Sequence, residues 1–145
     1  MRIYFAGSIR AGRQDVSVYN ELIKYIKNYG EVLTEYIGDK SITENGEEGI
    51  DNKLTDEQIH DRDLEWILKA DVLMAEVSTP SLGVGYEIRF AIENGKKVLC
   101  LYNLDEGKKL SAMISGSKKI KKGKYNSITE AKKIIDDFFR CKKII

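Results

Sequence analysis

Histidine is nearly absent from this chain, cysteine is scarce, and neither sign of charge prevails; each shortage removes a class of function. The single histidine, His60, sits among charged residues, so a Ser-His triad or a histidine-rich metal site would have to run through one side chain, and neither metal nor cofactor is expected. Cys100, within an apolar run, and Cys141, near the end, lack metal-ligand spacing and are too distant in sequence to suggest a pair. Both read as reduced thiols. Lysine and arginine number 24 against 23 acidic residues, so there is no footprint of the kind that nucleic-acid polymers or membrane surfaces select. No stretch approaches the ~20 apolar residues of a membrane helix, and Met1 leads straight into Arg2-Ile3-Tyr4-Phe5 without a signal-peptide hydrophobic region. The expectation is a cytoplasmic protein acting on a small molecule.

What the chain does contain is alternation. Short β-like runs are followed by longer amphipathic segments, the pattern of βαβ units around a parallel sheet, and 145 residues suit one domain spanning 1–145. Strands are expected at 2–7, 31–37, 71–77 and 97–102, with the basic stretch 118–124 a surface loop or edge strand. Apolar residues at helical spacing mark helices at 13–28 (ended by Gly30), 56–69, 82–94 (ended by Gly95) and 128–141, and a short apolar piece occupies 110–114. Thr55 with Gln58 three residues on is a capping-box signature. A polar, aperiodic stretch at 38–54 has the length of a lid loop. Right-handed crossovers make this an α/β, doubly wound, flavodoxin- or Rossmann-like parallel five-stranded sheet flanked by helices, of order 2-1-3-4-5, with ligands at the strands' carboxyl ends.

Three segments near those ends could carry chemistry. After the first strand comes Gly7-Ser8-Ile9-Arg10-Ala11-Gly12-Arg13, either a phosphate cradle at a helix N-terminus or a tight strand-to-helix turn. Gly7 and Gly12 have P-loop spacing, but Arg13-Gln14 stand where lysine and Ser/Thr are needed, and no G-x-G-x-x-G follows the strand. After the third strand, Ser78 to Tyr86 places hydroxyls and glycines before Glu87, which interrupts the stripe of Val84, Ile88, Ala91 and Ile92. Such a carboxylate is costly to bury and either caps N–H groups, pairs with an arginine or reacts. On helix 56–69, Asp63 similarly breaks the face of Ile59, Trp66, Ile67 and Ala70. Two carboxylates on facing helices beside an anion site suggest glycosyl transfer through an oxocarbenium-like state.

With those residues assembled, the chain resembles the 2'-deoxynucleoside 5'-phosphate N-hydrolases of the nucleoside 2-deoxyribosyltransferase superfamily, nearly end to end. The resemblance rests on Tyr4 to Arg13, Val32-Leu33-Thr34-Glu35, Asp63-Leu64-Glu65-Trp66, Pro80 to Glu87, and Leu110-Ser111-Ala112-Met113-Ile114. It implies Glu87 as nucleophile on the anomeric carbon, Asp63 assisting base departure or orienting the nucleotide, and Tyr4 beside the sugar. It further implies substrate binding by Gly7, Ser8, Ile9, Arg10, Ser81 and Gly83, with Ser111 and Met113 supplied by the neighbouring subunit of a homodimer. Loop 38–54, Arg89 and the tail 118–124 depart from the family pattern.

The expected reaction is hydrolysis of the N-glycosidic bond of a 2'-deoxynucleoside 5'-monophosphate. Without a 2'-hydroxyl the sugar forms the oxocarbenium ion more readily, and Tyr4 would also crowd a ribonucleotide. Competing readings are a nucleoside 2-deoxyribosyltransferase, a related ribonucleotide hydrolase, and a non-catalytic nucleotide-sensing module. A cluster of Ser8, Arg10, Ser81 and Ser111 argues against the first, since an unphosphorylated nucleoside has no use for it.

Overall fold

In the computed structural model, which describes residues 1–12, 14–40 and 54–141, the alternation becomes one parallel sheet. Its strands are β1 (Arg2–Ala6), β2 (Glu31–Val32), β3 (Val72–Glu76), β4 (Lys97–Tyr102) and β5 (Ile120–Lys124). They lie in the expected order β2-β1-β3-β4-β5, with Tyr4 level with Leu73 and Leu73 level with Val98. The helices are α1 (Val16–Ile26), α2 (Asp56–Lys69), α3 (Leu82–Glu93), the single turn α4 (Ala112–Ser115) and α5 (Ile128–Arg140). Every β3 residue is buried, as a strand covered by helices on both faces requires.

Period two along β1 sends Ile3 and Phe5 to one face of the sheet and Tyr4 and Ala6 to the other. Ile3 and Phe5 join Met74, Leu99, Leu22 and Ile135 under α1 and α5. Tyr4 and Ala6 join Leu73, Cys100, Ile67 and Ile88 under α2 and α3. Each fully buried aliphatic side chain contributes roughly 1.5–3 kcal/mol. The capping box opens α2 as expected: Gln58 N–H donates to Thr55 Oγ1 at 3.2 Å and Thr55 N–H to Gln58 Oε1 at 2.9 Å.

The expected strand 31–37 pairs over two residues. The Thr34 hydroxyl accepts from Phe5 N–H at 2.9 Å and donates to Phe5 C=O at 2.6 Å, occupying the backbone groups a longer β2 would have used. Glu35–Gly38 then turns as a 3-10 helix. Helix α1 starts at Val16, later than expected, with Asp15 at its N-cap position; the Asp15 carboxylate makes no side-chain cap and accepts from the Thr79 hydroxyl at 2.6 Å. Gly30 lies beyond the end of α1. A Cβ there would fall 2.1 Å from Met1 O, so the glycine serves a close chain crossing. The basic stretch is edge strand β5, and most of loop 38–54 lies outside the described residues.

Candidate active site

β1 neighbours both β2 and β3, so the sheet's order reverses there, and crevices form beyond the carboxyl ends of strands at such a point. A cavity of about 550 Å³ opens at this place, between the β1–α1 loop, the 3-10 turn, α2 and the start of α3. Gly7 begins its wall. A Cβ on Gly7 would sit 2.9 Å from the Tyr19 ring and 3.0 Å from Ile37, so the tight approach of the loop to α1 requires glycine.

Three side chains meet at the inner end. Tyr4, 2% exposed, projects from β1 towards α2 and α3, and its hydroxyl donates to Glu87 Oε1 at 2.6 Å. Glu87 stands in the second turn of α3, one turn beyond the buried Val84 and one before the buried Ala91. Asp63 faces it from α2, and both carboxylates line the cavity. Burial, then the charges of Glu87 and Asp63, hold the Tyr4 hydroxyl well above its usual 10, so it remains a phenol and a donor.

The start of α3 is ordered by Ser81, whose Oγ accepts from Val84 N–H at 3.3 Å. Gly7, Ile9, Arg10, Ser81 and Gly83 all reach the cavity wall. Ser8 is fully buried, its N–H donating to the Tyr19 hydroxyl at 3.1 Å. Arg10 reaches across the mouth to Asp56 at 2.9 Å, and the hydrogen bond and charge of that guanidinium keep the Asp56 carboxyl below its usual range. Both groups are exposed, so the pair is weak and exchangeable.

Ser111 and Met113 are not brought to this cavity within one chain. Ser111 borders a second hollow of about 300 Å³, which shares Ser81, Leu82 and Val84 with the first. Met113 and Leu82 are 83% and 96% exposed.

Sequence reasoning missed part of the wall. Tyr36, expected in a strand, lines the cavity from the 3-10 turn. His60, unremarkable in sequence, also lines it, with Nε2 3.1 Å from the Tyr86 hydroxyl and Nδ1 2.8 Å from Asp61. Arg62 stands behind both carboxylate and phenol, donating through Nε and Nη2 to Asp63 Oδ1 at 3.0 and 2.8 Å and through Nη2 to the Tyr36 hydroxyl at 3.0 Å. The one available signal was local: Arg62 precedes Asp63 on a helix that also carries Trp66 at a spacing that lets the two stack.

Beside the site, Glu76 ends β3 as a buried carboxyl. It accepts from the Ser78 hydroxyl and from Tyr125 Oη at 3.2 Å. Ser78 Oγ in turn accepts from Asn103 N–H at 2.8 Å. Burial outweighs these donors and pushes the Glu76 carboxyl up to about 7. The group ties the β3–α3 loop to the ends of β4 and β5.

The model of the nucleoside 2-deoxyribosyltransferase family matches residues 3–135. The chain is 50% identical over 117 residues to the 5-hydroxymethyl-dUMP N-hydrolase of Esox lucius, covering 81% of this chain and 79% of that one. Against the protein of the same name from Homo sapiens, identity is 44% over 115 residues, covering 79% of this chain and 64% of that one. Among solved structures, the Clostridium botulinum CMP N-glycosidase superposes with a TM-score of 0.66 at 18% identity, over 95% of this chain and 99% of that one. The 2-deoxyribosyltransferase of Bacillus psychrosaccharolyticus gives 0.63 at 15% identity, over 91% and 90%. These two likenesses speak to the fold.

Proposed function

Because the chain belongs to the nucleoside 2-deoxyribosyltransferase family, we propose that it hydrolyses the N-glycosidic bond of 2'-deoxynucleoside 5'-monophosphates to free base and 2-deoxyribose 5-phosphate. The relatives at about half identity carry N-hydrolase names. The observation in this chain that carries the reading is the 2.6 Å Tyr4–Glu87 hydrogen bond at the inner end of the cavity.

Glu87 is the nucleophile. Its carboxylate bonds to C1' as the C1'–N bond breaks and the bonding pair leaves with the base. Water then opens the glycosyl ester, its hydroxyl going to C1' and its proton balancing the departed base, so the sugar retains its configuration. Tyr4 stays protonated throughout, fixes one oxygen of Glu87 and crowds the 2' position. Asp63 works opposite, on base departure or nucleotide orientation. The 5'-phosphate lies against the β1–α1 loop and the N-terminus of α3, where Gly7, Ser8, Ile9, Arg10, Ser81 and Gly83 supply N–H, hydroxyl and guanidinium donors.

In this reading the functional unit is a cytoplasmic homodimer in which Ser111 and Met113 of one subunit complete the other's site. The exposure of Met113 and Leu82 beside the second hollow supports such a contact. The family description favours a second reading, transfer of the deoxyribosyl group to another base, which differs only in what captures the ester.

The test is incubation with dNMPs, including 5-hydroxymethyl-dUMP, together with NMPs and unphosphorylated deoxynucleosides, with and without an acceptor base, followed by chromatography. Base release from dNMPs alone, lost in Glu87→Ala, is the expected result. A new nucleoside in the acceptor arm would establish the transferase instead. Binding without release would leave a sensing module.

A further inference from the structure

Arg62 does not line the cavity, yet three of its contacts end on groups that do or that pack behind them. Its guanidinium lies 5.3 Å from the Tyr36 ring centroid and 4.7 Å from that of Trp66, a stack that leaves the N–H fork in one plane. That fork is spent on Asp63 Oδ1 and the Tyr36 hydroxyl. Both partners of the Arg62–Asp63 pair are largely buried, at 18% and 14% side-chain exposure, so this pair differs in kind from the exposed pairs elsewhere on the surface. The titratable groups gathered about Asp63 among the described residues are Arg62 on its own helix, Tyr4 from β1, Tyr36 from the 3-10 turn and Glu87 from α3, with His60, Arg10 and Asp56 on the same wall. Arg10 is paired with Asp56 at the mouth, so Arg62 is the cation bonded to Asp63 itself where two carboxylates and two phenols meet. Two like charges so placed share a proton unless a cation offsets them.

We propose that Arg62 is a positioning residue that lets Asp63 and Glu87 be ionised together, so that Asp63 accepts a hydrogen bond from a sugar hydroxyl of the nucleotide instead of protonating the leaving base. The inference rests on the N-hydrolase reading and deepens it. It assigns the two carboxylates different work without an acid between them: Glu87 bonds to C1', and Asp63 holds the sugar at a fixed angle to that attack. The departing base keeps its electron pair and takes its proton from water. Lysine in place of arginine would keep the charge but not the planar fork that reaches Asp63 and Tyr36 at once.

The experiment is a double-mutant cycle of Arg62→Gln and Asp63→Asn, with Arg62→Lys alongside, read as kcat and KM for a dNMP from pH 5 to pH 9. Without the cation the acid-side fall in kcat moves to higher pH by about one unit. Arg62→Gln therefore loses more kcat at pH 5 than at pH 8, by a factor that approaches roughly tenfold only below both apparent values, with KM little changed, and Arg62→Lys falls between. In the Asp63→Asn background the extra loss disappears. An equal loss at every pH, or the same loss in the Asp63→Asn background, overturns the proposal. So does an alkaline fall in wild-type kcat that Asp63→Asn abolishes, since that is the mark of an acid. Thermal melts of the same proteins from pH 4 to pH 8 read the pair without substrate. A stability loss in Arg62→Gln that fades as the pH falls, and vanishes with Asp63→Asn, supports it even where wild type releases no base; a pH-independent loss overturns it. Absence of base release from wild type defeats the hydrolase reading alone.

Discussion

The two faces of the sheet are built from the same strands and do different work. Under α1 and α5 the core is wide and apolar, with Phe5, Tyr19, Leu22, Met74 and Ile135 filling it. Under α2 and α3 it is made of smaller residues, with Ala6, Ala70, Ala75 and Ala91 prominent, and Tyr4 at its edge meets Glu87 and Asp63. The cavity opens between the first two turns of these helices, lined by Asp56, Ile59 and Asp63 from α2 and by Gly83, Val84 and Glu87 from α3. One face is apolar packing alone at its centre, and the other combines a buried apolar cluster with the carboxylates that line the cavity.

Mutations should separate the faces. The largest effect belongs to Glu87→Gln, which removes the attacking oxygen and should lower kcat on the order of 10⁴-fold or more while the melting temperature holds. Leu22→Ala, on the opposite face, should cost roughly 2–5 kcal/mol in denaturant unfolding and leave kcat/KM of the folded fraction unchanged. A Leu22 variant with normal stability but impaired turnover would mean that the faces are not independent.

Glu76 sharpens the comparison because it is a buried carboxyl at the end of β3 on the α1/α5 side, the side of Val72, Met74 and its donor Tyr125. Burial pushes its carboxyl up to about 7 in the folded chain from an ordinary value of 4.5. Between those values the folded form keeps a proton that the unfolded form has lost, so stability falls as pH rises through that window. Glu76→Gln should remove that slope and stabilise the protein at pH 8 by up to about 3 kcal/mol, read from melts across pH 4–8. A variant as pH-dependent as wild type would show that another group sets the slope. Tyr4→Phe should cost about 10²-fold in kcat through the lost donor to Glu87, with little change in stability. A large drop in stability there would make Tyr4 a core residue first.

Much of this was legible in the sequence. Strand order followed from alternation and crossover handedness, α2 from its capping box, and the carboxylates from their intrusion on apolar stripes. The shortness of β2 was not legible, because it depends on a Thr34 hydroxyl meeting Phe5 across 29 residues of chain. Tyr36 escaped for the same reason, since its position follows from where β2 stops. Arg62 escaped because a charged residue on a charged helix reads as solvated until Trp66 and Tyr36 are seen to stack on it. The roles of Ser111 and Met113 depend on a second subunit and came from family resemblance, not from periodicity.

The two ends of the sheet bear on how copies of this protein can meet. One edge is β2, with two paired residues; the other is β5, IKKGK, three of whose five residues are lysines. A two-residue ladder is too short to template another strand, and a lysine-studded one repels its own copy. Among the described residues, neither edge of the sheet therefore favours strand addition. Association is left to helix surfaces such as that of Leu82, Tyr86 and Met113, where it can be tuned one side chain at a time without disturbing the sheet.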